Sequence, residues 1–170
     1  ASERSPDERA KMLVRLGLKR SAYDWRAQHV QEFEEEILQY KKHGIEFFAF
    51  WNVHEKAFEL FQKYKIHPQI WKTLHSPKSG NQEEKIRSAK QAMIPLAMRT
   101  AEIGCKLGLY NHGGWGGEPE NLVTVCKALR AEGHEHVGIV YNWHHGHGRI
   151  EEWKQDLELM LPYLHCLNLN

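Results

Sequence analysis

The sequence predicts a parallel α/β fold of the (β/α)-barrel type, on three observations. An apolar run ending at Leu109 and Tyr110 stops abruptly in Asn111-His-Gly-Gly-Trp-Gly-Gly117 just before a helix, and Gly138-Ile-Val-Tyr-Asn-Trp-His-His-Gly-His147 repeats the event. Six strand-like runs begin at residues 19, 45, 68, 106, 137 and 163, each preceded by a helical pattern, which is the period of βα units. Nearly every strand delivers groups that hydrogen-bond, stack or titrate at its carboxyl end, namely Asp24-Trp25, Trp51-Asn52, Asn111-His112, Asn142 and Asn168. A barrel converges such ends, whereas a doubly wound sheet concentrates function at one switch point behind a glycine fingerprint in its first βα turn. Gly113 to Gly117 has the wrong spacing and comes too late, so a dinucleotide site is rejected.

The elements follow in order. Ser5-Pro-Asp-Glu8 offers an N-cap with Pro at the first helical position, and Ala10, Leu13, Val14 and Leu16 make a stripe that Gly17 closes before a strand at 19–24. Residues 32–43 carry Phe33, Ile37, Leu38 and Tyr40 at helical spacing, with the acidic run from Glu32 to Glu36 a solvated face; Gly44 ends this helix and a strand at 45–51 follows. Residues 55–64 read as helix, 68–74 as strand and 76–81 as a polar loop. The helix over 83–104 contains Pro95, which is expected to kink or divide it. After a strand at 106–112, the helix over 118–132 starts with acids and proline and ends at Gly133. A strand at 137–142, a helix at 150–161 and a strand at 163–169 complete the chain.

Composition narrows the function. With 170 residues, 41% hydrophobic and 26% charged, the chain reads as one soluble globular domain over 1–170. Its net charge is +1 and it lacks a basic stripe, so a nucleic-acid partner is not expected. Cys105, Cys126 and Cys166 have no metal-ligand spacing and read as buried thiols. No apolar run approaches the ~20 residues of a membrane span, and Ala-Ser-Glu-Arg-Ser-Pro is not a signal peptide. A missing initiator Met suggests an excised chain, which leaves the compartment open between bacterial cytoplasm and periplasm.

At Ala22-Tyr-Asp-Trp-Arg26, Tyr110-Asn-His-Gly-Gly-Trp115, Tyr141-Asn-Trp-His-His-Gly-His147 and Leu167-Asn-Leu-Asn170 the chain resembles the xylose isomerase-like TIM barrels. That superfamily holds sugar phosphate isomerases and epimerases and type IV AP endonucleases. The resemblance covers most of the chain and implies an eight-stranded barrel whose first and last strands are missing here, so self-association through two open edges is expected. It also implies a divalent metal held by a Glu in a Glu-Asn strand end, the Asp of Asp-x-x-His, the His of a His-x-Asn/Lys-Asp strand end and a Glu on the last strand. By the flanking residues these fall on Tyr110, Asn142, Asn168 and beyond residue 170. His145 alone survives, ending Asp-x-x-His, and a one-strand shift would bring in His165 instead. Amides and a phenol are poor ligands for a hard or borderline dication, so neither metal nor other cofactor is expected.

The plainer readings are that His112, His144, His145 and His147 are solvated loop histidines, that Trp51, Trp115 and Trp143 plug the core, and that Asp24 and Arg26 pair with each other. Against them stands a carbohydrate-active barrel of the isomerase and epimerase type. In it, His145 or His112 moves a proton next to a carbonyl, while Asp24, Trp25, Trp51, Asn111, Trp115, Asn142, His144 and Asn168 bind a small carbohydrate. The amides, imidazoles and indoles among them suit a neutral sugar or keto-sugar better than a sugar phosphate. A non-catalytic sugar-binding or interaction domain is the alternative. Abasic-site DNA cleavage ranks last, since it needs a metal cluster and a cationic groove.

Overall fold

The structure, a computed structural model, describes residues 4–169. Its helices are α1 (Pro6–Arg15), α2 (Phe33–Lys42), α3 (Glu55–Tyr64), α4 (Gln82–Glu102), α5 (Pro119–Ala131) and α6 (Trp153–Met160). They alternate with β1 (Arg20–Asp24), β2 (Glu46–Trp51), β3 (Gln69–Thr73), β4 (Leu107–Tyr110), β5 (Val137–Asn142) and β6 (Leu164–Asn168). Strand order is chain order, with β1 and β2, β4 and β5, and β5 and β6 paired in parallel, the topology of successive (β/α)-barrel units. No helix among the described residues is long and apolar enough to cross a membrane. The chain divides into two compact units, Ala1–Ile70 and Trp71–Asn170.

The first unit is nucleated by local signals and filled by rings. Ser5 and Glu8 close a capping box on α1, with the Ser5 N–H donating to Glu8 at 2.8 Å and the Glu8 N–H to Ser5 Oγ at 3.3 Å. Tyr23, Phe33, Phe50 and Phe61 are buried against one another, with Phe33 edge-on to Phe50 at 5.6 Å and Phe50 edge-on to Phe61 at 5.4 Å. One charge lies inside: Glu36 of α2 is fully buried and accepts from Nε and Nη2 of Arg9 on α1, the closer contact at 2.5 Å. Arg9 also reaches Glu32 at 2.9 Å, and these two carboxylates keep the guanidinium protonated against its own burial.

In the second unit, side chains on one face of the strands interlock. Trp71 of β3 stacks on Tyr110 of β4 at 6.3 Å, while Gly108 leaves room for both Trp71 and Val140. A Cβ on Gly108 would lie 2.4 Å from Val140 Cγ2 and 3.1 Å from Trp71 Cδ1. One strand further on, Gly138 leaves room for the His165 ring. Alternate residues, including Leu107, Leu109, Val137 and Ile139, are fully buried on the other face, as strand geometry requires. The buried face of α5, Leu122, Val125, Cys126 and Leu129, is the helical counterpart on that side. Cys105 and Cys126 are buried, and burial pushes their thiols up to about 12 and about 11; Cys166 is half-buried.

Two sequence expectations are corrected. Pro95 does not divide its helix, because α4 runs unbroken from Gln82 to Glu102. Pro95 and Gln91, whose carbonyl loses its helical donor, are both exposed, so water can satisfy the freed group. The last helix begins later than residue 150: a 3-10 turn, His147–Glu152, precedes α6 because Arg149 departs from helical backbone angles.

Two stability predictions follow from this packing. Gly108→Ala forces a methyl into Val140 and should cost about 1–3 kcal/mol, read as a lower urea midpoint at unchanged slope. His165 is the second: its Nδ1 is buried without a hydrogen-bond partner, and burial first, then Lys106, Arg130 and His136, lowers its pKa from 6.5 to about 4. Above pH 6.5 the ring is neutral in both states; between 6.5 and 4 the unfolded chain takes a proton that the folded chain refuses. Stability should therefore decline as pH falls through that window, and His165→Leu should flatten the decline in denaturation series at pH 7, 5.5 and 4.

Candidate functional site

The carboxyl ends of β4 and β5 are joined by their side chains. Asn111 is fully buried; its Nδ2 donates to the Asn142 carbonyl at 3.0 Å and its Oδ1 accepts from the Asn142 N–H at 2.6 Å. The Asn142 side chain is used as fully, donating from Nδ2 to Tyr110 Oη at 2.7 Å and accepting the His144 N–H at Oδ1, 2.9 Å. Asn168 of β6 lies in register with Asn142, and its carbonyl accepts from the Trp143 N–H at 3.1 Å. These buried amides replace ladder bonds where the strands end, so Asn111 and Asn142 set the floor of the site rather than face outward.

Two loops rise from that floor. The loop after β4 turns at Gly113 and Gly114, with φ of +72° and +63°, values that glycine alone adopts at little cost. It is held by Gly116, whose N–H donates to Ser76 Oγ at 2.8 Å. The loop after β5 carries His144 and His145. The rings of His112 and His145 are 4.3 Å apart, His144 lies 5.2 Å from His145, and Tyr110 meets His145 edge-on at 5.8 Å. His112 and His144 are exposed and His145 is half-buried. Burial, and then the neighbouring His112 and His144, hold the His145 pKa below the ordinary imidazole range. His145 is thus neutral at pH 7 and able to accept a proton.

The remaining sequence-derived candidates have partners within their own units. Trp115 is half-buried and belongs to a closed triangle with α4 and α5. Its Nε1 donates to Gln82 Oε1 at 2.8 Å, Gln82 Nε2 donates to Asn121 Oδ1 at 2.6 Å, and Asn121 Nδ2 donates to the Trp115 carbonyl at 2.8 Å. Asp24, Trp25 and Trp51 are in the first unit. Asp24 pairs with Arg26, Trp25 packs edge-on to Phe33 at 5.8 Å and to His54 at 4.9 Å, and Trp51 is half-buried in register with Asp24. Sequence reasoning missed Arg149, whose guanidinium faces Glu118, Glu120, Glu152 and Asp156. No spacing in the sequence marks it, because Arg149 departs from helical backbone angles and its partners come from separate segments.

Tyr110, Asn142 and Asn168 stand where the resemblance places metal ligands. Tyr110 Oη and both ends of the Asn142 amide are engaged with one another and with backbone. Among the described residues no group of three or more His, Cys, Asp or Glu is arranged to hold a metal ion.

No family model matches the chain, and no curated protein matches it. Solved structures do. The 3-keto-D-glucoside 4-epimerase of E. coli superposes with a TM-score of 0.71 at 13% identity, over 97% of this chain and 73% of the epimerase. A D-psicose 3-epimerase with D-tagatose, from Clostridium cellulolyticum H10, gives 0.72 at 12% identity, over 99% of this chain and 68% of the other. The probable 3-DHS dehydratase involved in petrobactin synthesis in Bacillus anthracis gives 0.71 at 10% identity, over 98% and 68%. The chain shares the parallel (β/α)-barrel-type fold of these structures.

Proposed function

We propose that this chain binds a neutral sugar or keto-sugar above the ends of β4, β5 and β6 and acts on it as an isomerase or epimerase would. The observation that carries the reading is the close pair of imidazoles, His112 and His145, over a floor of uncharged amides and a phenol. Neutral His145 takes the proton from the hydroxyl-bearing carbon beside the carbonyl while His112 donates a hydrogen bond to the oxygen on which charge develops. Isomerisation is completed when that proton goes to the former carbonyl carbon and the hydroxyl proton passes to the former carbonyl oxygen, and epimerisation when a proton reaches the first carbon from its opposite face. In this reading His144 and Asn168 hold hydroxyls, with Asn111 and Asn142 fixing the strand ends beneath. None of these residues is Lys or Arg, which favours a neutral substrate over a phosphate. The superposed sugar epimerases support the substrate class; a superposed dehydratase shows that the fold alone does not choose the reaction.

One observation favours a second reading, a sugar-binding module without turnover: the residues at the ligand positions are consumed by mutual hydrogen bonds. The site as proposed works without a stoichiometric divalent ion, because a phenol and two amides offer no carboxylate to a dication.

Both readings are separable at the bench. D-tagatose should shift the imidazole resonances of His112 and His145. His145→Ala should lower any turnover by on the order of 10²–10⁴-fold, the usual contribution of a positioned acid or base. Sugar binding with no turnover of any ketohexose would select the module, and binding untouched by both His112→Ala and His145→Ala would move the site elsewhere. Elemental analysis after dialysis should find less than one equivalent of zinc or manganese; a full equivalent would mean that the ligands are other residues, His145 and His165 first among them.

A further inference from the structure

We infer that Arg149 is a positioning residue that ties the two histidine-bearing loops together and so sets the spacing of His112 and His145. This rests on the reading of the imidazole pair as the working groups. Arg149 lies four residues beyond His145, in the turn that follows its loop. Its guanidinium forks onto Asp156 of α6, Nε to Oδ2 at 3.0 Å and Nη2 to Oδ1 at 2.8 Å. The same group reaches across to the loop after β4: Nη1 donates to Glu118 at 3.2 Å and Nη2 to Glu120 at 3.0 Å. Glu118 is the residue on which the Gly113 to Gly117 turn ends and α5 begins. One planar cation therefore bridges the segment carrying His112 and the segment carrying His145, and only the guanidinium offers enough donors in fixed directions to serve both.

The two halves of this bridge differ in kind. The Asp156 side chain is 3% exposed and meets Arg149 out of water, so the pair is part of the fold. Glu118 and Glu120 are 45% and 57% exposed, so water can take over their solvation when the tie is cut. Nature of the bond and burial together separate a fold half from a positioning half, and the two can be removed independently.

The test is the double variant Glu118→Ala with Glu120→Ala in the otherwise unaltered chain, which leaves Arg149 on Asp156. It should fold, with its thermal midpoint close to wild type. Cross-relaxation between the imidazole protons of His112 and His145 should nevertheless weaken, and their ring-current shifts should move, because the loops are no longer joined. Binding of D-tagatose should fall on the order of tenfold, as small misplacements of working groups do. Restoring one carboxylate, in the single variant Glu120→Ala, should return most of both signals. Folded double variant with unchanged imidazole resonances would overturn the inference. The resonance readout needs no ligand, so it stands even where D-tagatose fails to bind, which would count against the proposed function alone. Should the double variant fail to fold, Arg149→Lys supplies the same reading: it keeps one cation on Asp156, and wild-type cross-relaxation in it would overturn the bridging role.

Discussion

Two buried asparagines govern the functional end of this chain. Asn111 and the backbone of Asn142 exchange a donor and an acceptor across the ends of β4 and β5, pairing the buried Asn142 N–H and adding to the bonds that its carbonyl takes from the His145 and Gly146 N–H groups. That exchange fixes where both loops leave the sheet. His112 follows Asn111 directly, and His144 is bound through its own N–H to the Asn142 side chain. The loops that carry the imidazole pair, 4.3 Å apart, both leave the sheet at this contact. The network is saturated by neutral groups, so it holds shape without a charge of its own.

Saturation also sets these two residues apart from the ligands that the resemblance implies. The phenol and the amide at ligand positions bond to each other at 2.7 Å, in a buried setting where giving up the bond for a cation would leave both half-satisfied. A fold can keep its strand ends and exchange what they carry. What this chain shares with the superposed structures is the architecture.

Much of the architecture was legible in the sequence because it is written in local periodicity. The expected strands at 19–24, 45–51 and 137–142 became Arg20–Asp24, Glu46–Trp51 and Val137–Asn142, and the helix over 55–64 became Glu55–Tyr64. The strand expected to reach residue 112 ends at Tyr110; Asn111 keeps one backbone bond to Val140 but meets Asn142 through its side chain, which periodicity does not encode. At the site, the residue types at strand ends were visible, but not which of them would be spent on one another. Asn111 and Asn142 looked like ligand-facing amides and prove to be inward; Arg149 carried no motif, because its partners come from three places in the chain. Burial and long-range pairing are properties of the folded state, and a single sequence shows them only as residue chemistry.

The glycines on the inner face of the second unit have one more consequence. Gly108 receives Val140 and Trp71, and Gly138 receives His165, so each notch is filled from an adjoining strand. A notch opposite a knob works as a key. Sliding β5 along β4, or β6 along β5, by one residue would drive a side chain against a methylene-bearing neighbour and flip the remaining face outward. Parallel strands, which lack tight hairpins to dictate their alignment, are in this way given a mechanical code for it.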